Sequence, residues 1–354
     1  GFNLPFDVAA FAREARRILD EVDAEIGWMY ETTHTDGVTK GRINYTVWSE
    51  VFSCPQCGRQ VVFSETALDP ETHRVRDQLT CPGCTATYAK KEQMTLVMET
   101  FADPATGQTE ERPLRAPWRI NYSVGKSAIE KAPDEADIAV IAKIAALPWP
   151  TALPVNQLYG SHLHRSRLGA TRVRAVQHLY VPRSAHALSA LWARADAVTD
   201  SDMRRMLLWF VEQAIWGLSI LNRYQPIQQG RPGGSQVNRQ LNGVFYVPSQ
   251  ISECSPLYNL GGRLDRLVRQ AFASDYSARE LPAVTTGDCA TLGIAADSMD
   301  YIFTDPPFGE NFQYADLNYF VESWHRVITN KNREAIVARV PREDAVSYTH
   351  LRAH

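Results

Sequence analysis

Four consecutive residues could together hold an amino group: Asp305, Pro306, Pro307 and Phe308. They follow the apolar run 301–303 (Tyr-Ile-Phe), which predicts a buried strand that ends at Thr304. The acid would then lie at the carboxyl end of a strand, where open α/β sheets bind ligands. The prolines have a fixed φ and no N–H, so they cannot continue the strand, and their carbonyl oxygens are free to accept hydrogen bonds. The acid and a carbonyl could accept two amino protons while the phenyl ring stacks on a planar group.

Two Cys-x-x-Cys pairs form a second chemical pattern: Cys54 with Cys57, and Cys81 with Cys84. Two cysteines three residues apart in a tight turn can face one ion, and two such pairs predict a tetrahedral four-thiolate zinc site. A redox dithiol pair and a disulfide pair are the alternatives. Four protein ligands close the coordination sphere, so we expect the Zn²⁺ to fold a small module and to take no part in catalysis.

The composition is that of an ordinary globular chain. It has 354 residues, of which 44% are hydrophobic and 22% charged, and a formal net charge of −3. A run of about 18 apolar residues is absent, so we expect no membrane span and a cytoplasmic location. Because the chain is not a polycation, a nucleic-acid site would have to be a local basic patch.

The Asp-Pro-Pro-Phe motif and its flanks resemble the amino-group DNA methyltransferases, which use S-adenosylmethionine to methylate the exocyclic nitrogen of adenine or cytosine. Residues 286–292 (Thr-Gly-Asp-Cys-Ala-Thr-Leu) and 298–300 (Ser-Met-Asp) are similar to the lead-in of that family. Residues 311–318 and 322–324 resemble a subgroup of large bacterial and archaeal adenine-specific methylases that carry a zinc ribbon. The resemblance is specific in these places and weak between 160 and 280.

The resemblance implies an α/β class of fold, a partial Rossmann-like methyltransferase with an inserted four-cysteine zinc ribbon and a helical insertion. The target base would be flipped out of the DNA stack. Asp305 would accept a hydrogen bond from one amino proton, the carbonyl of Pro306 would accept one from the other, and Phe308 would stack on the base. Asp288 would bind the adenosine part of the cofactor, and Asp305 would contact the cofactor as well. The preference for adenine over cytosine rests on the subgroup resemblance alone.

One expected feature of the family is missing from this sequence. These enzymes carry a Phe-x-Gly-x-Gly loop that holds the methionine part of the cofactor, and in the zinc-ribbon methylases this loop precedes the ribbon. The chain opens at Gly1 without an initiator methionine. We therefore expect a fragment of a longer enzyme, one that binds the cofactor poorly and is inactive by itself. Residues 346–354 resemble translated sequencing-adapter sequence and are interpreted as a non-native tail.

The elements that must position these motifs divide the chain into segments. Residues 1–40 are predicted as a helix of the methyltransferase domain, with Asp7 as its N-cap. The further segments are the zinc ribbon (41–100), a polar, proline-containing connector (101–160), a mostly helical insertion (161–280), the catalytic α/β segment (281–345) and the tail (346–354).

Six arginines are candidate DNA contacts: Arg165, Arg167, Arg172, Arg174, Arg231 and Arg239. The first four lie in the most basic stretch, 161–174, which contains no acid, and phosphate contacts need clustered Lys or Arg. The other two lie in the Gly-, Gln- and Asn-rich stretch 230–243, whose donors suit base edges. A solvated surface loop is the alternative for both stretches.

Other functions stay open beside DNA methylation. A zinc-ribbon nucleic-acid-binding module with an inactive methyltransferase fold would keep the four cysteines and tolerate the loss of Asp305. A methyltransferase of RNA bases or of protein glutamine is a further alternative, although such relatives more often carry Asn at that position. DNA is the expected partner, and restriction-modification or phage-defence proteins are candidate companions.

Overall fold

The computed structural model describes residues 7–69, 72, 74–89, 91–103, 105–158, 168, 171–228, 231–232, 235–241, 245–271, 292–304 and 314–330. Its contacts divide the chain into one unit of residues 6–274 and a second unit of residues 1–5 with 275–354. The predicted segment boundaries at 41, 101 and 161 all fall inside the first unit.

The first unit combines helices with a multi-stranded sheet. Its helices are α1 (Val8–Ile26), α2 (Phe63–Ala67), α3 (Glu135–Ala145), α4 (Pro182–Asp196), α5 (Ser201–Glu212) and α6 (Pro256–Arg266). Its strands are β1 (Glu31–Thr33), β2 (Lys40–Ser53), β3 (Gln60–Val62), β4 (Leu79–Thr80), β5 (Thr87–Tyr88), β6 (Thr95–Leu96), β7 (Met98–Ala102), β8 (Thr109–Pro113), β9 (Arg115–Val124), β10 (Ser127–Lys131), β11 (Ile227–Gln228), β12 (Arg231–Pro232) and β13 (Gln250–Cys254).

The long strand β2 is the centre of the sheet. It pairs with β9 along one edge and with β1 and β13 along the other, and its last residues pair with β3 and β6. The expected combination of helices with a multi-stranded sheet is thus confirmed. The strand pairs among the described residues are all antiparallel, whereas a Rossmann-like sheet is mostly parallel, so the finer assignment stays a prediction.

The helix α1 closes one side of this unit. The Asp7 carboxylate accepts hydrogen bonds from the N–H groups of Ala9 (2.8 Å) and Ala10 (2.9 Å), which confirms the predicted N-cap. The buried stripe of the helix packs against α4, α5 and α6. Phe11 meets Phe210 of α5 edge to face, with ring centroids 5.9 Å apart. Among the described residues, no helix is both long enough and apolar enough to cross a membrane.

The stretch predicted as a polar connector forms strands, so that prediction is wrong for residues 101–131. Strands β7 and β8 pair as a hairpin, and β9 pairs with both β2 and β10. The prolines that suggested a connector are tolerated in special places. Pro113 ends β8, and Pro117 lies at an irregularity of the β9 register opposite Val47 and Trp48. Proline fits such bulges because the ladder hydrogen bond is already interrupted there.

A buried ion pair joins α4 to the sheet. Arg183 donates to both carboxylate oxygens of Glu253 on β13, with Nε–Oε1 2.9 Å and Nη2–Oε2 2.6 Å. The same guanidinium donates to Thr46 Oγ1 of β2 (2.7 Å) and to the carbonyl of Met29 (3.1 Å). Trp48 Nε1 also donates to Glu253 Oε2, at 2.7 Å. The side chains of the pair are only 6% and 1% exposed, so these bonds fix α4 against two strands.

The second unit is described over two stretches. Residues 314–330 begin with α7 (Tyr314–His325), in which Phe320 and Trp324 are buried. Residues 292–304 have no helix or strand.

The apolar run before the Asp-Pro-Pro-Phe motif is exposed. Tyr301, Ile302 and Phe303 are 81%, 75% and 80% exposed and lie in no strand, so the prediction of a buried strand ending at Thr304 is wrong. Apolar side chains become buried strand residues only where neighbouring strands pair with their backbone and helices or another sheet cover the faces. No described residue of the second unit forms such a neighbour.

Replacing Arg183 with Met should lower the free energy of unfolding by about 3–5 kcal/mol, because the Glu253 carboxylate would remain buried without its cation. Arg17→Met is the control: Arg17 pairs with Glu14 and Glu21 on the exposed face of α1, and its loss should cost at most about 1 kcal/mol. Urea unfolding measures both values. Equal losses in the two variants would contradict the structural role given to the buried pair.

His186 on α4 predicts a pH dependence of stability. Burial lowers its pKa below the ordinary value of 6.5, against a weaker opposing effect of Glu25, and its Nε2 has no hydrogen-bond partner in the described part of the chain. A lowered pKa means that the unfolded chain binds the proton more readily, so stability falls as the pH drops through about 6.5. His186→Leu should flatten the decline in urea midpoint between about pH 7 and pH 5; an unchanged slope would exclude His186 as its source.

Candidate metal centre

The first cysteine loop, residues 54–59, continues directly from β2 and turns back into β3. The N–H of Cys54 donates to the carbonyl of Arg59 (2.9 Å), and the N–H of Gly58 donates to the carbonyl of Cys54 (2.8 Å). Gly58 has a φ of +71°, the left-handed conformation that glycine adopts without a steric penalty. These bonds close a tight turn that presents Cys54 and Cys57 together.

The second loop, residues 81–86, connects β4 to β5 and repeats the same hydrogen bonds. The N–H of Cys81 donates to the carbonyl of Ala86 (2.9 Å), and the N–H of Thr85 donates to the carbonyl of Cys81 (3.0 Å). Thr85 holds the position that Gly58 has in the first loop, and its φ of +60° is left-handed as well. The two loops are therefore equivalent metal-ligand turns.

The four sulfurs of the cysteine cluster converge on one point. The ligand atoms of Cys54, Cys57, Cys81 and Cys84 all lie within 4.8 Å of one another. The Sγ–Sγ distances across the two loops are 3.7 Å for Cys54–Cys84 and 3.7 Å for Cys57–Cys81. Four sulfurs at about 2.3 Å from a tetrahedral zinc ion lie about 3.8 Å apart, so the cluster has the size that the metal requires. The prediction that these residues can hold one metal ion is confirmed.

Hydrogen bonds favour the thiolate form of two of the ligands. The Tyr88 hydroxyl lies 3.1 Å from Cys54 Sγ and lowers the pKa of that thiol to about 6. The N–H of Gly83 donates to Cys81 Sγ at 3.4 Å and holds the pKa of that thiol below its ordinary value. The N–H of Ala86 acts in the same direction on Cys84, but burial and the neighbouring thiols outweigh it and raise that pKa to about 12. A divalent cation among the sulfurs would offset the repulsion between their charges.

The ribbon around the cluster has a small core of its own. Its buried members are Phe52, Cys54, Val61, Ala67, Leu79, Cys81 and Met94. Two of these seven residues are ligands, so the metal and its cysteines make up a substantial part of the interior. A module of this size gains much of its folding free energy from metal binding.

A buried acid joins the ribbon to the sheet. Glu50 of β2 is fully buried, with Oε1 3.4 Å from Arg115 Nη2 of β9 and Oε2 3.9 Å from Lys91 Nζ of the ribbon. Lys91 also bonds to the hydroxyl of Ser249, which precedes β13. The ribbon is thereby tied to the sheet by charges as well as by the continuous strand.

The amino-group site predicted from the sequence lies outside the part of the chain that the structure describes. The residues assigned to it and two of the DNA-contact candidates lie outside the described residues: Asp288, Asp305, Pro306, Pro307, Phe308, Arg165 and Arg167. Arg231 lies in β12, whose partner is β11.

The remaining DNA-contact candidates have protein partners. Arg172 Nη2 lies 3.9 Å from Glu111 Oε2, and Arg174 Nη1 lies 3.7 Å from Glu110 Oε2. Both acids belong to β8, so a segment without acids in its own sequence faces acids from a distant strand. Arg239 donates from its Nε to the carbonyl of Ser235 at 2.8 Å, within its own loop.

The sequence reasoning missed the buried acids Glu50 and Glu253. Glu253 is the single charged residue of β13, and Glu50 is the single acid of β2; an isolated acid in a strand could have marked both as members of buried ion pairs. Their partners Arg183 and Arg115 carry no comparable signal, because Arg is common on surfaces.

Comparison of the chain with family models, with curated proteins and with solved structures gives no match. The family resemblance is therefore an interpretation of the motifs. The four-cysteine cluster is the part of that interpretation with a described geometry.

The purified chain should contain about one zinc ion, and Cys54→Ser should lose it because three thiolates leave the coordination sphere open. Cys254→Ser is the matched control: Cys254 is fully buried beside Asn222 and is not a member of the cluster. Elemental analysis after gel filtration measures the zinc. Loss of zinc in the control, or retention in Cys54→Ser, would contradict the assignment.

Thr85→Gly should stabilise the zinc-loaded chain by about 1 kcal/mol, because a β-branched residue is strained in the left-handed conformation and glycine is not. The reverse change, Gly58→Ala, should destabilise it by a similar amount. A Cβ at Gly58 would meet no atom within 4 Å, so that variant isolates the backbone effect. Urea unfolding in excess zinc measures both shifts, and a loss of stability in Thr85→Gly would refute the equivalence of the two loops.

Proposed function

We propose that this chain belongs to an S-adenosylmethionine-dependent DNA methyltransferase that acts on the exocyclic amino group of adenine. The observation that carries the proposal is the presence in one sequence of the Asp-Pro-Pro-Phe motif at 305–308 and of the four-cysteine cluster. The resemblance to the zinc-ribbon subgroup of adenine-specific methylases needs both features. Cytosine is the alternative target, since the motif itself suits either base.

In the proposed reaction the chain holds a flipped base in position. The Asp305 carboxylate would accept a hydrogen bond from one N–H of the amino group, and the Pro306 carbonyl oxygen would accept a hydrogen bond from the other. These bonds turn the nitrogen lone pair away from the ring, and Phe308 stacks on the base with a contribution of about 1–3 kcal/mol. S-adenosylmethionine supplies the electrophilic methyl group. Asp288 binds the adenosine part of that cofactor.

The metal has a structural role in this proposal. Four cysteines already complete a tetrahedral coordination sphere, and no His or carboxylate joins the cluster within the described residues. The ion would hold two loops together at the end of β2 and leave no open position for a substrate.

A nucleic-acid-binding module without catalysis is the second candidate, and one observation favours it. The run 301–303 before the motif is exposed and forms no strand. A methyltransferase pocket needs this run inside a sheet, so that the acid lies at a strand end. The two candidates differ in what they require of Asp305.

The full-length gene product should transfer label from S-adenosylmethionine to duplex DNA, and Asp305→Ala should lower the rate at least about 100-fold because an essential acceptor is lost. Asp300→Ala is the control, since Asp300 is an exposed acid in the same stretch to which the proposed reaction assigns no contact with the base or the cofactor. Scintillation counting of the recovered DNA measures both rates.

The outcomes separate the candidates. Label on DNA that persists in Asp305→Ala would remove the catalytic assignment. DNA binding without label transfer in the unaltered protein would favour the non-catalytic module.

A further inference from the structure

A cavity of about 480 Å³ lies in the first unit, where β7, β8 and β9 meet α3 and the start of α4. Sites for small molecules commonly measure about 300–1,000 Å³. None of the four cysteines lines this cavity, so it is distinct from the metal centre. The residues that line it come from separate parts of the sequence, between Trp48 and Ile220.

The cavity walls are largely apolar and rich in aromatic rings. Trp48, Phe101, Trp149 and Tyr180 all line it, together with aliphatic residues such as Ile144. Aromatic rings favour flat ligands because faces and edges of rings attract one another. The walls therefore suit a planar ring better than a branched chain.

The charged groups of the cavity are already paired. Arg183 binds Glu253 at 2.6 Å, and Arg112 binds Glu99 at 2.6 Å. Arg115 lies 3.4 Å from Glu50. The Arg183 and Arg115 side chains are only 6% and 10% exposed, so a charged ligand that broke either of these two pairs would leave a buried acid without a counter-ion, which is costly. The cavity thus favours an uncharged ligand.

The histidine of the cavity is held in a structural role. His178 Nε2 lies 2.5 Å from Asp103 Oδ2, and its Nδ1 accepts the N–H of Arg174 at 3.3 Å. The proton must therefore be on Nε2, and neither nitrogen is left to act as a base. Asp103 in turn accepts the N–H of Ala105 at 2.7 Å. These contacts indicate a binding site without acid–base chemistry.

Two buried polar atoms of the lining lack partners. Gln177 donates from Nε2 to Asp103 at 3.1 Å, but its Oε1 has no hydrogen-bond partner in the described part of the chain, and the residue is 1% exposed. The indole Nε1 of Trp149 is likewise buried without a partner among the described residues. One is an acceptor and the other a donor, so a ligand with both kinds of group would satisfy each of them.

We propose that this cavity binds a planar, uncharged heteroaromatic molecule of the nucleobase or nucleoside class. The ring packs among the aromatic side chains, an N–H of the ligand donates to Gln177 Oε1, and a ring nitrogen or carbonyl accepts from Trp149 Nε1. The inference does not rest on the proposed methyl transfer, whose residues Asp288 and Asp305 lie in other stretches of the chain.

The test is titration calorimetry of the full chain with adenosine, and with toluene as an apolar ring of similar width. Ala145→Trp should weaken adenosine binding at least tenfold, because the exposed Ala145 lines the cavity and an indole there would fill it. Ala142→Trp is the matched control: Ala142 is also an exposed residue of α3, but it does not line the cavity. Trp149→Phe keeps the ring but removes the donor, and should weaken binding about fivefold, as expected for one neutral hydrogen bond.

The response of adenosine binding to these substitutions tests whether the cavity is the binding site. Adenosine binding that is lost in Ala145→Trp, kept in Ala142→Trp and kept in Asp305→Ala supports the inference and separates it from the methyl-transfer proposal. Absence of adenosine binding, equal binding of toluene, or binding that Ala145→Trp leaves unchanged would overturn it.

Discussion

The pairing of β2 along both edges is the constraint on which the first unit depends. This strand is bordered by β9 on one side and by β1 and β13 on the other, and it then runs on into the ribbon. Buried charges stabilise it on the one face that carries both Thr46 and Glu50: Thr46 contacts Arg183, and Glu50 contacts Arg115. The metal centre, the ion pairs and the cavity are all built on this one strand, through Cys54, Glu50 and Trp48.

The buried ion pairs fix the positions of the elements that surround the cavity and of the strand that leads into the ribbon. Arg183 and Arg115 each border the cavity, and each is bound to an acid whose backbone belongs to the sheet. Such pairs add little net stability over apolar residues, but an unpaired partner is costly, so they fix the arrangement of the elements that carry them. Positions of the aromatic side chains around the cavity follow from this arrangement.

Local patterns allowed part of this structure to be predicted. Asp7 before an apolar stripe predicted α1, and the spacing of four cysteines predicted their cluster, because cap and turn geometry depend on neighbouring residues only. The pairing of strands that are distant in the sequence could not be predicted from such local patterns. The apolar run 301–303 predicts a buried strand, but whether a strand is buried depends on the elements that pack around it. Pro117 favours a connector in the sequence, but the structure places it at a bulge of β9, where a strand tolerates proline. The cavity has no sequence pattern, since its walls come from separate stretches.

The duplication of the cysteine turn has a consequence for the order of assembly. Each hairpin offers two sulfurs, so neither half can retain an ion tightly by itself, and high affinity arises only when both are in place. The β2–β3 hairpin is anchored in the large sheet, whereas the β4–β5 hairpin has two-residue strands. We therefore expect the anchored half to act as the template and the ion to capture the second half only after the sheet has formed.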